Sequence, residues 1–284
     1  MKCAVQIRAV QAAVAGAEIP AHWLRSLRRA DDFSRLAVLA GAGAMGAEDE
    51  LSAAEGRPEI GVFLGTTTGP LETNFRFLDT LFDNGEGQAS PTLFSHSVHN
   101  AAVGYLTRLL NLQGPALTLT TPGWPFLAAL AEAKAALERA DLAAALVVAV
   151  EEESPLLAEA AARLAVETGG LPAVGEPLAS PPVACRLGAV AWLLEAVEPA
   201  AGALPRLGEI VLEEKPSDPV FYLLRTGERF QPSGAFCPPA EAPRSLAAAL
   251  ALSHALEECS RQAGSSLHWQ ATAPCGRAEV LLLG

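Results

Sequence analysis

Apolar positions along this chain come in two rhythms, short continuous runs and stripes recurring every three or four residues. The runs, bounded by glycine, proline or acids, predict strands buried on both faces. The stripes predict amphipathic helices. Residues 3–10 (CAVQIRAV) predict an opening strand. Asp31 and Asp32 then open a helix over 31–45, on which Phe33, Leu36, Ala37 and Ala40 share one face. The run EIGVFLG at 59–65 predicts a buried strand, followed by the polar turn TTTGP and an amphipathic helix from Leu71 to Phe82. The stretch DNGEGQASP reads as a loop. A second helix, from about His99 to Leu110, carries Ala102, Val103, Leu106, Leu109 and Leu110 and is stopped by Gln113-Gly114-Pro115.

Residues 116–121 (ALTLTT) predict a strand, Pro122 to Ala140 a helix, and Leu142 to Val150 another buried strand. Strand, helix, strand in this order implies right-handed crossovers on a mostly parallel sheet, an α/β fold. Ser154-Pro155 supplies an N-cap and a first-turn proline for a helix ending at Gly169-Gly170. After a proline-rich loop, ACRLGAVAWLLEAVE predicts a strand apolar on both faces, with 207–214 (LGEIVLEE) as its hairpin neighbour. Pro216, Pro219, Pro232, Pro238, Pro239 and Pro243 break up the next stretch, although VFYLL at 220–224 still reads as a strand. A helix from Ser245 to about Gln262 and two strands, SLHWQA and AEVLLL around the turn TAPCGR, complete the pattern.

Composition narrows the functional classes. With 284 residues, 50% of them hydrophobic and 18% charged, the chain can bury a real core and does not read as disordered. A net charge of −12 argues against nucleic acid, whose phosphates need clustered Lys and Arg. The short basic cluster Arg25, Arg28, Arg29 reads as a solvated helix face. Five scattered cysteines (Cys3, Cys185, Cys237, Cys259, Cys275) without a CxxC pair point to reducing cytosol rather than disulfides or zinc. The start MKCAVQIRAV is too polar for a signal peptide, and no apolar run approaches a membrane span, so a soluble cytoplasmic protein is expected. GTTTG lacks the lysine and spacing of a phosphate loop, and no cofactor or metal site is expected.

From about Asp31 to Glu195 the chain resembles the N-terminal half of β-ketoacyl synthases, of the thiolase superfamily. GVFLGTTTGPLET at 61–73 is similar to the family's strand and glycine turn, and SPTLFSHSVHNAAVGYLTRLLNLQGPALTLTT at 90–121 to the segment before its nucleophile. LAAALVVAVEE at 142–152 and CRLGAVAWLLE at 185–195 are similar to its later strands. The wording SVHNAAVG is closest to a short, chain-length-factor-like branch beside aryl-polyene and related polyketide synthases. The resemblance implies a thiolase-like α/β fold. Residues 1–214 would be the N-terminal half, and 215–284 a reduced C-terminal segment packed on the same domain.

In that family a cysteine nucleophile sits in a tight elbow where a helix N-terminus lowers the thiol pKa. The resemblance places Gly123 there, between Pro122 and Trp124-Pro125, and glycine cannot form an acyl thioester. The family's two second-half histidine motifs also lack counterparts, since His254 and His268 stand outside any glycine-rich context. Cys237 and Cys275 have no histidine motif to make either a displaced nucleophile. His96 and His99, three apart at a predicted helix start, are the remaining candidates for proton transfer, although capping and interface contact is the favoured reading. The resemblance adds Ser97, Asn100, Thr118 and Thr120 to His99 as interface residues; Trp124 either lines an acyl tunnel or fills the core. Glu151 to Glu153 are expected to face the positive end of the helix after Ser154.

Three functions follow from this reading. The first is a non-catalytic partner that pairs with an intact β-ketoacyl synthase, or with itself, through the strand at 116–121, and meets acyl carrier protein only indirectly. The second is a thiolase-fold acyltransferase, decarboxylase or hydrolase using His96 or His99. The third is a self-associating scaffold.

Overall fold

A computed structural model describes residues 3–46, 59–121, 123–154, 186–198, 204–214, 231–232, 246–261, 266–273 and 276–284. The path begins with strand β1 (Ala4–Val14), a 3-10 turn at Ala21–Trp23, and the short helix α1 (Leu24–Leu27). Helix α2 (Asp32–Ala44) starts where expected, because the Asp31 carboxylate accepts the Ser34 N–H at 2.9 Å. Strand β2 (Ile60–Thr66) leads through the TTTGP turn into α3 (Leu71–Asn84). The expected loop at 83–91 instead runs through a 3-10 turn at Glu86–Gln88 into a further helix, α4 (Pro91–His96), which Ser90 caps by accepting the Leu93 N–H.

Helix α5 (Ala101–Leu109), strand β3 (Ala116–Thr120), helix α6 (Pro125–Glu138) and strand β4 (Ala144–Glu153) follow. Then come β5 (Arg186–Val197), β6 (Arg206–Glu214), the two-residue β7 (Gln231–Pro232), helix α7 (Ala247–Ser260), β8 (Ser266–Ala273) and β9 (Gly276–Leu283). The helix expected after Ser154, the strand at 220–224, and Cys185, Cys237 and Cys275 lie outside the described residues.

The described strands form one sheet in the order β3-β2-β4-β5-β1-β6-β9-β8-β7. Only β2–β3 and β2–β4 are parallel; the remaining neighbours run antiparallel. This corrects the expectation of a mostly parallel sheet, because helical crossovers are needed only among these three strands. The expected hairpin of 186–197 with 207–214 does not form either. Strand β1 occupies the place between them, pairing with β5 along nearly its whole length and with β6 at Val5 and Gln6.

The unbroken apolar run of β4 is explained by its position between two helix layers. Leu146, Val148 and Val150 face one core with α2, α5 and Trp23. Ala145, Val147 and Ala149 face the other, with α6, α7 and Trp192. Each fully buried Leu or Val there contributes roughly 1.5–3 kcal/mol of transfer free energy. On the α2 side, Phe33, Leu36, Ala37 and Ala40 are all buried, as their spacing predicts. Arg25, Arg28 and Arg29 are exposed, as a solvated face should be.

Candidate functional site

The parallel strands β2, β3 and β4 all point their C-terminal ends at one rim of the sheet, and the chemistry-bearing turns gather there. At the end of β2, the Thr66 hydroxyl accepts the Gly69 N–H at 3.1 Å, closing the TTTGP turn. Gly69 takes φ +65°, and a Cβ on it would overlap the His99 ring, so this glycine is required both by backbone and by contact. At the end of β3, Thr121 donates its N–H to Thr66 O at 3.4 Å, and the Thr121 hydroxyl accepts the Gly123 N–H at 3.2 Å. Gly65, one residue before the end of β2, allows α6 to begin against the sheet: a Cβ at this position would overlap the Pro125 carbonyl.

The acids at the end of β4 do something the sequence reading did not foresee. Glu151 is buried, and its Oε1 accepts both the Thr67 N–H at 2.7 Å and the Thr67 hydroxyl at 2.8 Å. Glu152 Oε2 accepts the Glu72 N–H at 3.2 Å, in the first turn of α3. These two carboxylates therefore serve the turn and helix that follow β2; the segment after Ser154, which the sequence paired them with, lies outside the described residues. The register explains it: Ala149 lies beside Gly65, so the chain two residues further on sits beside Thr67. No local pattern marks this pairing, which the register of two strands distant in sequence creates.

The two candidate histidines do not share a helix. His96 ends α4, and His99 lies in the turn before α5, where it packs on Gly69. His96 is buried, with Nδ1 2.7 Å from the Thr92 carbonyl and Nε2 2.8 Å from the Tyr105 hydroxyl. A carbonyl only accepts, so Nδ1 carries the hydrogen and, in the neutral ring, Nε2 accepts from Tyr105. The one lone pair that could take a proton is already engaged. Tyr105 itself stacks on His96 and lies under the Arg108 guanidinium. Burial is the main force pushing its phenol pKa upward, with Asp31 adding and Arg108 opposing.

Gly123 stands in the elbow between β3 and α6, half-buried and without a side chain. Trp124 is 4% exposed and belongs to the core with Phe126 and Trp192, so it fills the interior and presents no surface to a partner. Of the described cysteines, Cys3 donates to the Leu137 carbonyl at the far end of α6, and Cys259 is buried on α7. His254 lies 3.6 Å from Glu258 on α7 and His268 3.0 Å from Glu279 on the β8–β9 hairpin, both partly exposed.

Strand β3 ends the sheet, and Leu117 is 47% exposed. Val62 donates to Pro115 O and Thr121 to Thr66 O, so odd-numbered residues turn their backbone toward β2. Ala116, Thr118 and Thr120 therefore present N–H and C=O groups outward. Thr120 is exposed, and the Thr118 hydroxyl is buried with no hydrogen-bond partner among the described residues. Ser97 Oγ donates to Phe94 O while its carbonyl accepts from Asn74, and Asn100 is exposed and does not cap α5 with its side chain.

The sequence profile described as the N-terminal domain of beta-ketoacyl synthase matches residues 6–168, more than half of the chain. No curated protein matches in sequence. Among solved structures, the ishigamide ketosynthase/chain length factor is similar over 99% of this chain and 99% of its own, at 17% identity and TM-score 0.63. A beta-ketoacyl synthase from Burkholderia phymatum is similar over 74% of this chain, at 16% identity and TM-score 0.55; the match spans 64% of that protein's length. A type II polyketide ketosynthase in complex with its acyl-carrier protein is similar over 74% of this chain and 68% of its own, at 17% identity and TM-score 0.57. At these identities the likeness shows the fold, which is the thiolase-like α/β architecture.

Proposed function

The chain belongs to the β-ketoacyl synthase N-terminal domain family, and from that premise we infer that it is a non-catalytic, chain-length-factor-like partner of an intact ketosynthase in fatty acid or polyketide biosynthesis, including the aryl-polyene type. The observation that carries this reading is Gly123 in the strand-to-helix elbow, with Cys3 bonded at the far end of α6 and Cys259 buried on α7. A hydrogen atom replaces the group on which an acyl chain would be carried. Proton-transfer chemistry based on His96 is disfavoured, because its acceptor nitrogen already takes the Tyr105 hydroxyl.

Pairing is supported by the edge of the sheet. Strand β3 carries no charge, no bulge and no covering element among the described residues, the features that normally protect an edge from strand addition. A partner strand would take the outward backbone groups of Ala116, Thr118 and Thr120, with His99 and Asn100 near the same end of the molecule. The sheet runs without interruption from β1 into β6, β9 and β8, which supports reading 215–284 as packed on the same domain as 1–214.

The test is co-expression with an intact β-ketoacyl synthase from the same source, followed by size-exclusion chromatography and intact-mass analysis after exposure to malonyl and acyl thioesters. The reading expects a stable complex in which the acyl group appears only on the ketosynthase. An acyl adduct on this chain, or turnover without the ketosynthase, overturns it.

A further inference from the structure

Helix α3 is built the wrong way round for a helix that serves only its own core. Its buried residue is Thr73, whose hydroxyl donates to Asp31 at 3.0 Å. On the same side, Phe77 meets the Phe94 ring at 5.4 Å, and Thr80 Oγ1 accepts the Ser90 N–H at 3.3 Å. Leu71, Phe75, Leu78 and Phe82, spaced by four, three and four residues, form a separate apolar stripe on the opposite side. Phe82 is 81% exposed and Leu78 38%. Beside that stripe, displaced by one position, run Glu72, Asp79 and Asp83, against Arg76 alone.

Leu71 and Phe75 are half-buried, but Leu78 and Phe82 at the other end of the stripe stand exposed beside the acids, a surface shaped for another molecule. Its charge selects the occupant. A second copy laid antiparallel on α3 would bring two acidic edges together, which costs association, and the chain's net charge of −12 opposes any other self-pairing. We propose that the apolar stripe of α3 docks an apolar surface rimmed by Lys and Arg on the ketosynthase partner, so that α3 makes the pairing heteromeric. This rests on the pairing inferred above and adds its second contact and its selectivity.

The test uses the full chain and the same ketosynthase, with affinity measured by titration calorimetry and the chain's own association by sedimentation. Phe82→Ser, and separately Asp79→Lys with Asp83→Lys, change exposed side chains, and unchanged circular-dichroism melts establish that the fold is intact. Each variant is expected to weaken ketosynthase binding about tenfold or more, the scale of an interface hot spot. Wild-type affinity should fall as salt is raised, and less so for the charge-reversed chain. Wild-type affinity in both variants overturns the proposal while leaving the β3 pairing in place. Failure of the unaltered chain to bind the ketosynthase overturns the pairing itself. Self-association that Phe82→Ser abolishes, for example onto exposed Leu24 and Arg25, Arg28 and Arg29 of a second copy, assigns the stripe to homomeric contact and also overturns it.

Discussion

Glu151 and Thr67 are joined by two hydrogen bonds, at 2.7 and 2.8 Å, made by one carboxylate oxygen to the backbone and the hydroxyl of one residue. The pair locks the turn after β2 to the end of β4. Replacing Glu151 with Leu strands two buried donors, and stability should fall by about 2–3 kcal/mol. Glu151→Gln keeps an acceptor oxygen and should cost about 1 kcal/mol. Urea unfolding of the two variants checks the order, and Thr67→Val combined with Glu151→Leu should cost less than the sum of the single changes.

That relationship marks the limit of what was legible in the sequence. The buried strands at 60–66 and 144–153 and the helix at 32–44 were readable, because each carries its own period and its own start signal. The partner of a buried acid was not, since register between strands distant in sequence is a tertiary property that no local pattern contains. The same cause hid the insertion of β1 between β5 and β6. Nor can spacing alone reveal that Thr92 and Tyr105 use both ring nitrogens of His96. The strand at 116–120 and the helix that follows were legible from their own periods, whereas a hydrophobic run carries no sign of whether its strand lies at an edge.

Gly65 offers a sharper steric test. Gly65→Ala drives a methyl into the Pro125 carbonyl, and the start of α6 must shift to admit it. Stability should drop by about 1–3 kcal/mol, as for other overpacked interiors. Thermal unfolding measures it, with exposed Gly87, which has open space around its Cβ direction, as the control.

Restoring a thiol should not restore condensation. Gly123→Cys supplies a nucleophile at the elbow, but the two second-half histidine motifs that the resemblance leads one to expect have no counterpart in this sequence. No condensed product should form from acyl and malonyl thioesters, as read by mass spectrometry. A condensed product would show that the site needs only sulfur.

Tyr105 predicts the alkaline limb of the stability curve. Its folded-state pKa lies above the ordinary 10.0, so the native state holds the phenolic proton more tightly than the unfolded chain does. The sign follows: this contribution is complete below pH 10.0 and is lost as the pH rises through the raised value. Tyr105→Phe should flatten that descent in unfolding measured between about pH 9 and 11.

The alternation of β3 separates partner binding from folding. Thr118 turns its N–H away from β2, so Thr118→Pro removes no bond to β2 and blocks an added strand. Complex formation with the ketosynthase should be lost on size-exclusion chromatography while the melting temperature of the chain alone stays close to wild type. Leu117→Lys, at an exposed position, should act in the same direction.

The seat of β1 imposes an order on biosynthesis. Ala4 pairs with Val197 and Val5 with Leu207, so β1, made before either of its strand neighbours, gains them only once residues 186–214 have been made. Strands β2, β3 and β4 can assemble on α5 and α6 before then, leaving the edge of β4 and one side of α2 waiting. Nascent chains halted before residue 186 should therefore hold an unsheltered amino-terminal segment and lean on chaperones, whereas those halted after 214 should not.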